Sequence, residues 1–145
     1  MNKPPYFSQT YPFSCVPACL KMVLASFGVD KSEAELRSLC ECDETGTTPS
    51  NIVRAAIECG FDSFTANLTL DELREEVSRN NFPIVFLRLS GEETYSNHAV
   101  VVYKISKKKV FVLDPAEIGE REFEIDSFVE NWSRGLTIIV ENKPD

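Results

Sequence analysis

The stretch that most constrains this chain runs from Gln9 to Leu24, where a loop ends at a cysteine and a helix-forming apolar pattern begins. Gly28 follows the pattern as a typical C-terminal stop. Pro17 fits the first turn, because a proline there loses only an N–H that has no intrahelical partner. The stretch therefore predicts Ser14 or Cys15 as the N-cap, with the thiol at the positive end of the helix dipole.

A cysteine at the start of a helix has two interpretations. The helix dipole favours the thiolate over the thiol, and the thiolate is the nucleophilic form, so Cys15 is a candidate nucleophile. The alternative is that Cys15 is a small buried apolar residue, as free cysteines commonly are.

The chain has one histidine, His98, and it opens the strand-like run 98–103. Asp114 ends the next such run, 110–114. If the two runs pair as an antiparallel hairpin across the lysine-rich turn at 106–109, the start of one lies beside the end of the other. We therefore expect His98 and Asp114 to meet at one end of a sheet, as a general base and the carboxylate that orients it.

Gln9 lies six residues before Cys15 (15 − 9 = 6), so its side chain can reach the same pocket. An amide N–H there could stabilise the oxyanion of an acyl-transfer reaction. The alternative is an exposed polar side chain without a task.

The order Gln9, Cys15, His98, Asp114, with Cys-Val-Pro-Ala-Cys-Leu-Lys-Met at the helix start and Asp-Pro after the second strand, resembles the double-glycine-leader (bacteriocin-processing) peptidases. These are papain-like cysteine peptidases, best known as the N-terminal domain of ATP-driven peptide exporters. The resemblance extends over residues 6–140. It implies a peptide or precursor-peptide substrate that is cut after a small pair such as Gly-Gly.

Two features depart from that family. The family commonly has Asp-Cys-Gly at the nucleophile, whereas this chain has Ser14-Cys15-Val16, which bears on the substrate subsite next to the thiol. No exporter segment follows the domain, so we expect any peptide exporter to be a separate partner.

The predicted fold class is α+β, a papain-like cysteine peptidase fold with an N-terminal helical half packed on a C-terminal antiparallel sheet. The length of 145 residues and the hydrophobic fraction of 43% suit a single peptidase-like domain over residues 1–145. Capping boxes at Ser32–Glu35 and Thr69–Glu72 predict two helix starts, and Thr48 with Pro49 predicts a third.

The positions of apolar and capping residues predict the remaining elements. The third helix is expected to turn Ile52, Val53, Ala56 and Ile57 inward. Asp126 is expected to cap a short helix that runs to Trp132, and residues 136–140 to form the last strand. Phe128 and Trp132 are expected in the core.

Charge and cysteine content bear on partners and compartment. The net charge of −8 disfavours nucleic acid as a partner. No apolar stretch is long enough for a membrane span, and the N-terminus lacks a signal-peptide core. Five cysteines without a disulfide framework indicate a reducing, cytoplasmic location.

Competing sites carry weaker patterns. Cys40, Cys42 and Cys59 lack the paired spacing of a structural zinc site, so we expect no metal and no cofactor. Cys19 is expected to be buried behind the nucleophile. The acidic run 117–130 could be surface or could dock a basic peptide, and Tyr95 and Asn97 could line the substrate groove.

The mechanism predicted from these residues is acyl transfer through a Cys15, His98, Asp114 triad, with water as the acceptor. Two alternatives stay open. An amide-forming acyltransferase could use the same triad with an amine as acceptor, and a non-catalytic leader-binding module could keep the fold without the chemistry.

Overall fold

The computed structural model describes residues 3–88, 98–116 and 118–143. The helices within these residues are α1 (Cys15–Ser26), α2 (Glu33–Leu39), α3 (Pro49–Glu58), α4 (Leu70–Ser78) and α5 (Ile125–Asn131). The strands are β1 (Phe61–Asn67), β2 (Ile84–Leu87), β3 (His98–Ile105), β4 (Lys109–Asp114), β5 (Gly119–Glu124) and β6 (Trp132–Asn142). None of the helices among these residues is long and apolar enough to cross a membrane.

The strands form one sheet in the order β1-β6-β2-β3-β4-β5, and every neighbouring pair is antiparallel. This confirms the predicted α+β class. The placement of elements is less segregated than expected, because β1 from the N-terminal half forms one edge and pairs with the C-terminal strand β6.

Helices cover both faces of the sheet. Along β3, Ala99 and Val101 belong to the apolar cluster under α1, α2 and α3, whereas Val100 and Val102 belong to a second cluster with Leu73 of α4 and residues of α5. Successive side chains of a strand point to opposite faces, so an apolar residue at every position indicates burial on both sides. The molecule therefore has three layers, with α1, α2 and α3 on one face of the sheet and α4 and α5 on the other.

Three helices begin where the sequence predicts. Ser32 and Thr69 each accept a hydrogen bond from the backbone N–H three residues on, and both capping boxes are complete. Thr48 caps α3 in the same way, through the N–H of Asn51. These starts depend on neighbours in sequence, which is why a local pattern identifies them.

The inward face of α3 differs from the prediction. Ile52, Ala55 and Ala56 are fully buried, whereas Ile57 is 46% exposed. Residues three and four apart share a face of a helix, so the face set by Ile52 passes through positions 55 and 56. Ile57 is turned away from it.

The last helix also differs from the prediction. Asp126 does not cap it, because α5 begins at Ile125 with Glu124 as N-cap. Trp132 does not extend it, because this residue already pairs with Leu87 in the sheet. The indole Nε1 of Trp132 donates to the carbonyl of Leu136 at 3.1 Å, and its ring packs against Phe128, as expected for a core residue.

The hairpin of β3 and β4 has the predicted antiparallel pairing, with Val101 opposite Leu113 and Val102 opposite Val112. The N-terminal arm lies across the end of this hairpin. Its backbone N–H at Gln9 donates to the carbonyl of Pro115 at 2.7 Å, and the hydroxyl of Tyr6 donates to the carbonyl of Asp114 at 2.7 Å.

Candidate active site

A cleft of about 790 Å³ lies where the N-terminal arm, the start of α1 and the ends of β3 and β4 come together. Its lining includes all four residues that the sequence singles out, namely Gln9, Cys15, His98 and Asp114. Residues from four parts of the chain thus share one open cavity.

Cys15 is the first residue of α1, after Ser14 as N-cap, and its side chain is half-buried at the cleft. Because the first N–H groups of a helix have no intrahelical acceptor, the backbone N–H of Cys15 is free of the helix ladder. Thiol and N–H therefore lie at the positive end of the helix dipole, where negative charge is stabilised.

His98 and Asp114 are hydrogen-bonded across the hairpin, with His98 Nε2 and Asp114 Oδ1 2.5 Å apart. The Asp114 side chain is fully buried, and the His98 side chain is 14% exposed. The ring also makes a side-chain hydrogen bond with Cys15. One imidazole therefore bridges a thiol and a carboxylate.

The charges of this group depend on each other. Burial alone would lower the pKa of His98, but hydrogen bonds and charges from Asp114 and Cys15 raise the pKa to about 10. Burial alone would raise the pKa of Asp114, but the hydrogen bonds from His98 and from the Ala116 N–H, with the His98 charge, hold this pKa below its usual value. The arrangement favours an imidazolium beside an ionised Asp114 carboxylate.

Gln9 faces the cleft with its amide partly engaged. Its Nε2 donates to the carbonyl of Tyr11 at 2.7 Å, which leaves one of the two amide hydrogens for another acceptor. Its Oε1 is buried and makes no hydrogen bond within the described part of the chain. An N–H is thus available on the cleft side, while the role predicted for it stays a prediction.

Two charged residues of the site have no signature in the sequence. Arg121 of β5 lines the cleft and donates from Nη1 to Asp114 Oδ2 at 2.9 Å. Glu33, the buried first residue of α2, accepts from the Thr10 N–H at 3.0 Å and the Ser14 hydroxyl at 3.2 Å. The only available signal for Arg121 was its position as a cation in an acidic strand, whereas Glu33 gave none, because an acid is ordinary in the first turn of a helix.

The other cysteines occupy different environments. Cys19 lies fully buried behind Cys15, and burial raises its pKa. Burial also raises the pKa of Cys40 to about 12. Cys42 and Cys59 are half-buried. Across residues 3–88, 98–116 and 118–143, no three His, Cys, Asp or Glu side chains come together as metal ligands.

The remaining candidate residues either pair elsewhere within the chain or lie outside the described residues. Glu120 pairs with Lys3, and Glu122 pairs with Lys109 at 2.6 Å, so two carboxylates of the acidic run are engaged within the chain. Tyr95 and Asn97 lie outside the described residues.

Comparison with protein families gives one match over nearly the whole chain, because the model of the Peptidase C39 family matches residues 3–145. Among individual proteins, an uncharacterized protein of Methanothermobacter marburgensis is 32% identical over 94% of this chain and 88% of its own length. The mesentericin-Y105 transport/processing ATP-binding protein MesD of Leuconostoc mesenteroides is 30% identical over 96% of this chain. The chain spans only 19% of that relative.

Solved structures share the fold. A double glycine motif protease from an AMS/PCAT transporter, crystallised in complex with the leader peptide, superposes with a TM-score of 0.83 at 22% identity, over 97% of this chain and 93% of that one. The peptidase domain of Streptococcus ComA gives a TM-score of 0.79 at 24% identity, over 96% and 100%. The resemblance that the sequence motifs indicate is thereby confirmed.

Proposed function

The chain belongs to the Peptidase C39 family and is a cysteine peptidase, and from this premise we propose that Cys15, His98 and Asp114 are its catalytic triad. The observation that carries the proposal is the bridging position of His98, bonded to Asp114 through Nε2 at 2.5 Å and also hydrogen-bonded to the Cys15 side chain. This is the linkage of nucleophile, base and orienting group that acyl transfer requires.

The chemistry follows from the charges. The Cys15 thiolate attacks the carbonyl carbon of the scissile peptide bond, and a tetrahedral oxyanion forms. The His98 imidazolium then gives its proton to the leaving amine nitrogen as the C–N bond breaks, which leaves a thioester on Cys15. Water adds to the thioester while His98 takes its proton, and the second tetrahedral intermediate collapses to release the carboxylic acid and restore the Cys15 thiolate beside the His98 imidazolium. Asp114 keeps the ring oriented throughout.

Two donors are available for the oxyanion. The backbone N–H of Cys15 lies at the start of α1 without an intrahelical acceptor. The second amide hydrogen of Gln9 is the other candidate. Preorganised donors of this kind act where negative charge develops.

We further propose that the substrate is a precursor peptide cut after a small pair such as Gly-Gly. We propose a peptide exporter as the partner protein. The support is similarity, since relatives bear the name transport/processing ATP-binding protein and one structural neighbour was crystallised with a leader peptide. The free state of all five cysteines fits a reducing, cytoplasmic location.

The test uses the purified chain and a synthetic precursor peptide with a leader that ends in Gly-Gly. Mass spectrometry should show hydrolysis after the pair, and a matched peptide with Val-Val in its place should not be cut. Cys15→Ala should abolish cleavage, Asp114→Asn should lower kcat on the order of 10⁴-fold, and Cys59→Ala, at a half-buried thiol outside the cleft, should leave cleavage unchanged.

Other outcomes would contradict parts of the proposal. Normal cleavage by Cys15→Ala would remove it as the nucleophile. Capture of the acyl group by an added amine in preference to water would identify an acyltransferase with the same triad.

A further inference from the structure

We infer that Arg121 is a positioning residue of the active site, which shares the Asp114 carboxylate with His98 and so limits how tightly His98 holds its proton. The inference rests on the roles proposed above for His98 and Asp114. It concerns the strength of the acid that protonates the leaving amine.

The geometry divides one buried carboxylate between two cations. Asp114 Oδ1 accepts from His98 Nε2 at 2.5 Å and from the Ala116 N–H at 3.0 Å. Asp114 Oδ2 accepts from Arg121 Nη1 at 2.9 Å. The imidazole, one backbone N–H and the guanidinium thus each donate to the same carboxylate.

The fold holds Arg121 in this place. Arg121 lies opposite Val112 on β4, and Val112 and Asp114 are two residues apart, so all three project from the same face of the sheet. The guanidinium also stacks 4.8 Å from the centre of the Phe123 ring. Its side chain is 28% exposed.

The other charges of β5 do not compete for Arg121. Glu120 is paired with Lys3 and accepts from the Tyr103 hydroxyl, and Glu122 is paired with Lys109. Among the described residues, Asp114 is the carboxylate that Arg121 contacts.

Arg121 weakens the binding of a proton to His98 in two ways that act in the same direction. An imidazolium beside a bare carboxylate is strongly stabilised, and a second cation on that carboxylate weakens the stabilisation while it also repels the imidazolium. Without Arg121, both effects vanish and His98 becomes a weaker acid. It would then donate its proton to the leaving amine less readily, which lowers kcat more than it changes KM.

The other titratable groups near this pair are few. Cys15 and Cys19 of α1 face His98 and Asp114, the Tyr6 hydroxyl contacts the Asp114 carbonyl, and Glu44 also lines the cleft. None of these four groups can carry a positive charge, so none of them replaces the Arg121 cation when it is lost.

The chain allows a direct test, because His98 is its single histidine. NMR of protein labelled at the histidine ring reports the titration of His98 without any substrate. We expect Arg121→Met to move this titration to higher pH by roughly 0.5 to 1 unit. Arg121→Lys should restore part of the change, since it keeps the charge with a different geometry.

The matched control is Arg79→Met, which removes an arginine that pairs with Glu75 and Glu76 on α4. This control should leave the His98 titration in place. If Arg121→Met does not fold, Arg121→Gln makes the same comparison, because its amide can still donate to Asp114 without a charge.

An unchanged or lowered titration in the folded Arg121 variants would overturn the inference. A raised KM with unchanged kcat and titration would overturn it too, and would make Arg121 a substrate contact. A shifted titration in a protein that cleaves no peptide would refute the proposed function and leave the Arg121 effect standing.

Discussion

At the scale of single residues, the site is built from side chains whose chemistry is visible in the sequence and from others whose meaning depends on the fold. Cys15, His98 and Asp114 could be predicted because Cys15 lies at a helix start, and a hairpin brings the single histidine beside Asp114. Arg121 and Glu33 could not, because the partners of each belong to elements distant in sequence. A charged residue in a polar segment has no local sign of such a contact.

Gln9 is the residue whose role depends most on the structure. Its Nε2 already donates to Tyr11, and this bond fixes the amide so that its second hydrogen is preorganised. A glutamate at this position would place a carboxylate oxygen against the Tyr11 carbonyl and would repel the oxyanion. Alanine would only remove the donor.

We therefore predict that Gln9→Glu lowers kcat more than Gln9→Ala, and that Gln9→Ala lowers it about 10² to 10³-fold. KM should change little, because the ground-state carbonyl accepts the weaker bond. Steady-state kinetics on one peptide measures both variants, with the exposed neighbour substitution Ser8→Ala as control. Wild-type kcat in both Gln9 variants would leave the oxyanion to backbone N–H groups at the start of α1.

At the scale of elements, one carboxylate connects α2 to the loop that precedes the nucleophile. Glu33 accepts hydrogen bonds from Thr10 and Ser14, and it lies 3.3 Å from Arg37 Nε one turn later. The Arg37 guanidinium in turn stacks over the Tyr11 ring, 4.6 Å from its centre. The helix start that carries Cys15 is thus held by a charge outside its own element.

We predict that Glu33→Gln lowers the free energy of unfolding by about 1 to 3 kcal/mol, because the amide keeps only one acceptor oxygen, sets an NH2 donor against buried donors and removes the charge that pairs with Arg37. It should also lower kcat, since the loop that carries Gln9 and Ser14 loses its anchor. Urea unfolding and steady-state kinetics measure the two effects.

The matched control for Glu33 is Glu35→Gln in the same helix turn. Glu35 contacts Ser32 on the surface, so this change should cost less stability and leave kcat unchanged. Equal losses in the two variants would mean that Glu33 only stabilises α2.

Element boundaries show where a local pattern is sufficient. The capping boxes at Ser32 and Thr69 identify their helices because donor and acceptor are three residues apart. The predicted end of α5 at Trp132 was wrong, because Trp132 pairs with Leu87 in the sheet, which is 45 residues away (132 − 87 = 45). Long-range strand pairing overrides local propensity there.

At the scale of the whole molecule, the sheet separates two apolar clusters, one on each face. The cluster under α1 to α3 contains Cys19 and Cys40, and the opposite cluster contains Leu73 and Trp132. The sequence indicated central strands but not which helices lie on which face, because an uninterrupted apolar run has no polar side to orient it. That residues 1–145 behave as a single domain stays a prediction.

We predict that the two clusters unfold together, because adjacent residues of β3 are buried in both and neither face can separate without the other. Fluorescence of Trp132, the single tryptophan, reports one cluster. Pulsed alkylation of the buried thiols Cys19 and Cys40, read by mass spectrometry, reports the other. Both probes should give the same urea midpoint.

Leu73→Ala, on the α4 side alone, should cost about 2 to 5 kcal/mol and lower both midpoints equally. A fall in the tryptophan midpoint with the thiol midpoint unchanged would divide the chain into two independent units.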